Sequence, residues 1–273
     1  MSNGQAGLES YAKPADGYPS SHTSKLLHKI RGIVFDFDGT LFDNAMLPFY
    51  LIAAFPPDWF SLWRERFIRK RFTGCEYPSP EEYYKAFFAA FGKACYRSPD
   101  KMRNWYFNRF MPRMVRVLKR HYKPRPGVIE MFGNFNAQTS RVAVYSDYPL
   151  VKERMEALGI FCGPNIRLYG PDSFGAQKPA AGPFRQIAKD MGLAPEEVIV
   201  IGDREETDGA GAHRAGMRFF CLETGRRRYF LLDPYRSPIK EKPNGPSLMM
   251  YAGAWEDLNK LIMEKYNLFF EEK

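Results

Sequence analysis

Short, unbroken apolar runs alternate along this chain with longer stretches of mixed character, and the two differ in period. Gly32 to Phe37 sets Ile33, Val34 and Phe35 in one apolar row. A strand without polar-out alternation is buried on both faces, as in a parallel sheet. Arg141 to Tyr145, Ile166 to Tyr169, Val198 to Ile201 and Phe219 to Leu222 read as further strands, with Phe219–Leu222 the last. Between them Leu150 to Leu158, Pro183 to Met191 and Asp208 to Ala215 read as helices, and a closing helix runs from Trp255 to about Tyr266. Such alternation predicts an α/β protein whose parallel sheet has right-handed crossovers.

One stretch breaks the alternation. From 44 to 123 the pattern is helical throughout: Leu47, Tyr50, Leu51 and Ala54 recur at i, i+3, i+4 and i+7. Ser98-Pro99-Asp100 opens a further helix with proline near its first position. Met102, Tyr106, Phe110, Met114, Val117 and Leu118 then form one apolar stripe broken by Arg109. The organisation expected is a core of residues 29–43 and 124–273, split by an all-helical insert at 44–123. Residues 1–28, rich in Ser, Gly, Pro, Ala and Lys, read as a disordered leader. A Pro-rich excursion from Asp233 to Pro246 has no role legible in its residues.

Composition adds one sharp feature. The net charge of +9 is concentrated between Asp43 and Arg125, where 17 Lys/Arg face 7 Asp/Glu. An anionic partner follows: a phosphorylated metabolite, a nucleic acid or an acidic surface. Cys75, Cys95, Cys162 and Cys221 show no metal-ligand spacing and read as free thiols of a reducing compartment. No segment reaches the ~18 apolar residues of a membrane span, and the N-terminus has no signal-peptide core. A soluble cytoplasmic protein without a membrane partner is expected.

The chemistry gathers where strands end. The first strand ends in Asp36 and Asp38, the second in Ser146-Asp147, and Val198–Ile201 in Gly202-Asp203 with Thr207-Asp208 beyond; Lys178 lies in a loop before a helix. Parallel strands bring such ends together at the edge where open α/β sheets bind ligands. Two carboxylates ~4 Å apart at an effective dielectric of ~20 repel by about 4 kcal/mol. One lysine is too little for several acids and an incoming phosphate. Oxygen donors without His or Cys call for Mg2+ rather than zinc.

As a set, DFDGT (36–40), Ser146 after its apolar strand, Lys178 in GAQKP and GDREETD (202–208) resemble the haloacid dehalogenase-like hydrolase superfamily. The motifs appear in order across residues 32–222. The helical insert resembles the small cap of the phosphoglycolate-phosphatase-like branch, and Pro124 to Val128 its return to the core. The resemblance implies a Rossmann-like core and a phosphatase acting through an aspartyl-phosphate. It implies that Asp36 is the nucleophile, Asp38 the acid and base, Ser146 a phosphoryl hydrogen-bond donor and Lys178 a charge-offsetting cation. Phe37 and Asp147, through backbone N–H groups, and Thr40 complete the substrate cradle. Asp36, Asp38 through its carbonyl, and Asp203 would hold magnesium, with Asp208 orienting the ligand shell or Lys178; helix capping is an alternative role for Asp208.

The same resemblance separates reactions. Dehalogenases lack an acid at position 38, because halide leaves without protonation. A phosphonate hydrolase needs a cap lysine, and neither Lys70 nor Lys85 lies in such a motif. A phosphomutase shares all four motifs and excludes water, for which Phe49, Trp59, Trp63 and Phe67 are expected to seal the site. A binding protein that has lost turnover is the alternative of another class. Arg64, Arg66, Arg69 and Arg71 are candidates for a second anionic group of the substrate, although one helix cannot aim all four at the core. His213 reads as structural.

Overall fold

In the computed structural model, the described residues are 30–54, 56–138, 141–222, 250–256, 258, 259, 262 and 263. Six strands form one parallel sheet: β1 (Gly32–Asp36), β2 (Val142–Tyr145), β3 (Ile166–Tyr169), β4 (Val198–Gly202), β5 (Arg218–Leu222) and β6 (Met250–Gly253). Their order is β3-β2-β1-β4-β5-β6. The chain leaves β1 to one side for β2 and returns on the other for β4, so the sheet reverses its winding beside β1. Ligands in such sheets bind at that reversal, beyond the carboxyl ends of the strands. Register does the rest: Asp36 pairs with Tyr145, and Phe35 pairs with Ile201. The residues just past those positions therefore emerge side by side.

Burial explains the apolar row. Phe35 packs against Phe132 and Phe135 on one face, at ring separations of 5.5 and 6.2 Å. Val34 packs with Phe184 and Ile187 on the other. Phe132 and Phe135 belong to a helix at Val128–Gln138 that the sequence reading passed over. The sheet also does not end at Leu222, since β6 pairs in parallel with β5. Met-Tyr-Ala-Gly is too short and too mixed to announce a strand; its neighbour creates it. The leader and the excursion at 233–246 lie outside the described residues.

Between β1 and β2 the chain is helical: α1 (Leu47–Ala54), α2 (Trp59–Arg71), α3 (Pro80–Cys95), α4 (Pro99–Trp105) and α5 (Met111–His121). Ser79 and Ser98 cap α3 and α4 by accepting the N–H of Glu82 and Lys101, each with proline at the first turn. The stripe from Met102 to Leu118 steps by four residues, and each such step overshoots an α-turn by roughly 40°. A π turn at Tyr106–Phe110 absorbs the excess, so Met102, Tyr106, Phe110, Met114 and Leu118 are all buried. Phe72, Tyr83, Phe87, Phe88, Phe91, Trp105 and Tyr106 give this insert its own aromatic core.

Phe87 lies at the centre of that core and Phe67 on its surface. Phe87→Ala is expected to cost about 3–5 kcal/mol in urea unfolding, while Phe67→Ala stays within about 0.5 kcal/mol. Equal losses would contradict the packing.

Candidate active site

Asp36 ends β1 with both oxygens occupied. Oδ1 accepts from Lys178 Nζ at 2.6 Å and Oδ2 from Thr40 Oγ1 at 2.9 Å. The same ammonium donates to Asp208 Oδ1 at 2.7 Å. Asp208 sits in a π turn at Glu205–Gly209 and makes this ion pair; no side-chain cap is formed there. Asp36, Asp203 and Asp208 bring carboxylate oxygens within 4.8 Å of one another. Gly39 makes room for Asp203: its φ is +93°, and a Cβ there would lie 2.4 Å from Asp203 Oδ2.

Charge is unbalanced in this group. Burial, the Asp208 carboxylate and, to a lesser degree, Asp38 push the Asp36 carboxyl up to about 7, against the opposing pull of Lys178. Burial also raises Asp208, which Lys178 partly offsets. Burial pulls Lys178 down, but Asp208 and Asp36 outweigh it and hold the ammonium well above its usual range. Lys178 bridges two of the three carboxylates, and every donor the three offer is an oxygen. That set fits a hard divalent ion such as magnesium, which takes carboxylate oxygens together with waters.

Asp38 points to a different partner, one absent from the sequence reading. Arg154, on α7 (Val151–Ala157), donates from one terminal nitrogen to both Asp38 oxygens at 2.5 and 2.6 Å. Its other terminal nitrogen reaches Ser146 Oγ at 2.9 Å, and Ser146 donates to Asp38 at 3.2 Å. The guanidinium lies 4.3 Å from the Phe37 ring centre, on top of the aromatic face. Arg154 is fully buried, and its Nε has no hydrogen-bond partner. A basic residue in an amphipathic helix gave no signal of this. The available clue was its place, eight residues after Ser146 on the helix that starts from that strand end.

The insert closes over these groups. Arg69 of α2 is the one arginine of its helix that turns fully inward: it pairs with Glu65, donates to Tyr106 Oη at 2.7 Å and reaches the Asp147 carbonyl at 2.8 Å. Asp147 Oδ1 in turn accepts the Lys178 N–H at 2.9 Å. Residues 74–77 pair with the loop that carries Lys178, through Gly74 N to Lys178 O, Gln177 N to Cys75 O and Tyr77 N to Gly175 O. The aromatic seal is not the expected one. Phe49, Trp59, Trp63 and Phe67 are exposed, because the inward stripe of α2 is Leu62, Glu65, Ile68 and Arg69. Tyr148, its ring 4.0 Å from the Arg69 guanidinium, and Tyr106 stand at the site instead. Arg66, Arg71, Lys70 and Lys85 are exposed, Arg64 lies over the Phe60 and Trp63 rings, and His213 is exposed.

A family model for haloacid dehalogenase-like hydrolases matches residues 30–216. A glyceraldehyde 3-phosphate phosphatase from Methanopyrus kandleri is 36% identical over 55 residues, 20% of this chain and 24% of that protein. The chain spans about a quarter of the length of the curated relatives it matches. The fold is shared with L-2-haloacid dehalogenase from Xanthobacter autotrophicus, at TM-score 0.54 and 15% identity over 86% of this chain and 98% of that one. It is shared equally with the HAD-hydrolase YfnB from Bacillus subtilis, solved with magnesium, at TM-score 0.52 and 16% identity over 86% and 99%.

The Arg154–Asp38 pair is asymmetric, with side chains 0% and 20% exposed. Asp38→Ala strands a buried cation and is expected to cost about 3–5 kcal/mol of stability, whereas Arg154→Met replaces that cation with apolar volume and costs less. Urea unfolding of both variants checks the order; a larger loss for Arg154→Met would refute it.

Proposed function

The chain belongs to the haloacid dehalogenase-like hydrolase family, and from that premise we propose that it is a magnesium-dependent phosphatase of a small phosphorylated metabolite. The observation that carries the reading is the Asp36 carboxylate, fixed on one oxygen by Lys178 and on the other by Thr40. A carboxylate so oriented at the mouth of a parallel sheet is poised as a nucleophile. The phosphatase named among the curated relatives supports the same reaction class.

In this reading Asp36 attacks phosphorus and the substrate's P–O bond to the leaving group breaks, leaving an aspartyl-phosphate. Asp38 gives a proton to the departing oxygen and then takes one from the water that hydrolyses the intermediate. Both Asp38 oxygens accept hydrogen bonds in the conformation described. To act as acid it must carry a proton and loosen its hold on Arg154. Ser146 and the backbone N–H groups around Phe37 and Asp147 cradle the phosphoryl oxygens, and Lys178 offsets charge on nucleophile and phosphate. Magnesium, held by Asp36, Asp203 and the Asp38 carbonyl with Asp208 behind them, would neutralise phosphoryl charge when bound. The acid at position 38 favours phosphoryl transfer over dehalogenation, and residues 44–123 act as the cap.

The test is release of inorganic phosphate from a small aryl phosphate and a panel of phosphorylated metabolites. Release should require magnesium, stop with chelator and fall by about three orders of magnitude or more in Asp36→Asn. Unchanged release from Asp36→Asn would remove the nucleophile assignment. Isomerisation of a sugar phosphate without release would replace the phosphatase by a mutase.

A further inference from the structure

The aromatic residues expected to seal the site are instead exposed on α1 and α2. Met46, Phe49, Ile52, Trp59, Trp63 and Phe67 are six of the nine large hydrophobic side chains exposed among the described residues. Single exposed apolar residues need no explanation, but a cluster within one short stretch marks an interaction site. Trp59, Trp63 and Phe67 stand at i, i+4 and i+8 of α2, 60%, 55% and 49% exposed. Phe49 and Ile52 of α1 are 63% and 53% exposed. Helices α1 and α2 are adjacent in the chain, and both are tied to the segment at 109–113. Arg113 donates to the Ala54 carbonyl at 2.5 Å, and Arg109 pairs with Asp58 at 2.8 Å.

The exposed charge on α2 has one sign. Arg66, Lys70 and Arg71 share the exposed side of α2 with the aromatics. The helix's one acid, Glu65, is buried against Arg69. Exposed Arg109 and Arg116 line the neighbouring edge. Tryptophan and phenylalanine interleaved with arginine and lysine on an exposed helix are the residues that settle at a bilayer interface, with rings among the headgroups and cations at the phosphates. A second copy fits poorly, because a twofold contact would set this positive face against itself. A nucleic acid fits less well than a bilayer, because Met46 and Ile52 offer no stacking platform.

We propose that the α1–α2 face of the insert docks the protein on an anionic phospholipid bilayer. No helix among the described residues is long and apolar enough to cross a membrane, and surface docking needs none. The proposal departs from the expectation of no membrane partner, which rested on spans alone. It stands independently of the phosphatase reading, since none of the docking residues belongs to the site. It also gives α2 two jobs, as the helix that meets the bilayer outside carries Arg69, the contact to Asp147, inside.

The full-length protein is to be sedimented with vesicles of phosphatidylcholine alone and of equal parts phosphatidylcholine and phosphatidylglycerol. Binding to the mixed vesicles should be at least about tenfold tighter and should weaken with salt. Combining Trp59→Ser, Trp63→Ser and Phe67→Ser should weaken it at least about tenfold, and combining Arg66→Gln, Lys70→Gln and Arg71→Gln should remove the preference for phosphatidylglycerol. Circular dichroism should be unchanged in both variants. Brominated lipid should quench Trp59 and Trp63 while buried Trp105 and Trp255 stay bright. The proposal fails if mixed vesicles do not bind, or if binding persists in the aromatic variant. It fails equally if this face instead mediates self-association or retention on a polynucleotide without vesicle binding.

Discussion

Three carboxylates brought within 4.8 Å of one another at the end of a sheet repel strongly unless a cation stands among them, and here Lys178 is that cation. Its reach to both Asp36 and Asp208 depends on the loop that carries it. That loop is held from below by Asp147, whose Oδ1 accepts the Lys178 N–H, and from above by residues 74–77 of the insert. The insert is thus part of what makes the acid cluster tenable. Burial first, and the Asp208 carboxylate second, still raise the Asp36 carboxyl against the pull of Lys178. A site built this way is stable enough to form and still short of positive charge, which suits it to a divalent ion and an anionic substrate.

Much of this was legible because it follows from period and from strand ends. Ile33, Val34 and Phe35 could only be a strand buried on both faces, and every polar group one step past a buried strand had to surface at the same edge. Asp36, Ser146 and Asp203 meet there for that reason, and the loop carrying Lys178 and the turn carrying Asp208 join them. The helix opened by Ser98-Pro99-Asp100 was an equally local signal.

What escaped the sequence depends on neighbours distant in the chain. Arg154 looks like any basic residue of an amphipathic helix until Asp38, 116 positions away, accepts both its hydrogen bonds. Strand β6 exists because β5 offers it an edge. The aromatics of α2 were read as a seal because a helix's period shows which residues share a face, not which face turns inward. That choice was made by Glu65 and Arg69, a buried ion pair that composition alone would have put outside.

The closed arrangement has an energetic consequence. Asp36 is nearly inaccessible, and the insert is hydrogen-bonded to the loop that carries its partner Lys178. Lifting the insert would part at least five hydrogen bonds: Arg69 to the Asp147 carbonyl, Gln177 with Tyr83 Oη, and the three backbone bonds between 74–77 and 175–178. At about 0.5–1.5 kcal/mol net for each, lifting costs on the order of 3–8 kcal/mol before any apolar contact is counted. Any partner that binds the open form better than the closed one then controls access by its differential affinity alone. Helix α2 is where such control is cheapest to exert, because Arg69 on its inner side and Trp59, Trp63 and Phe67 on its outer side move as one rigid rod.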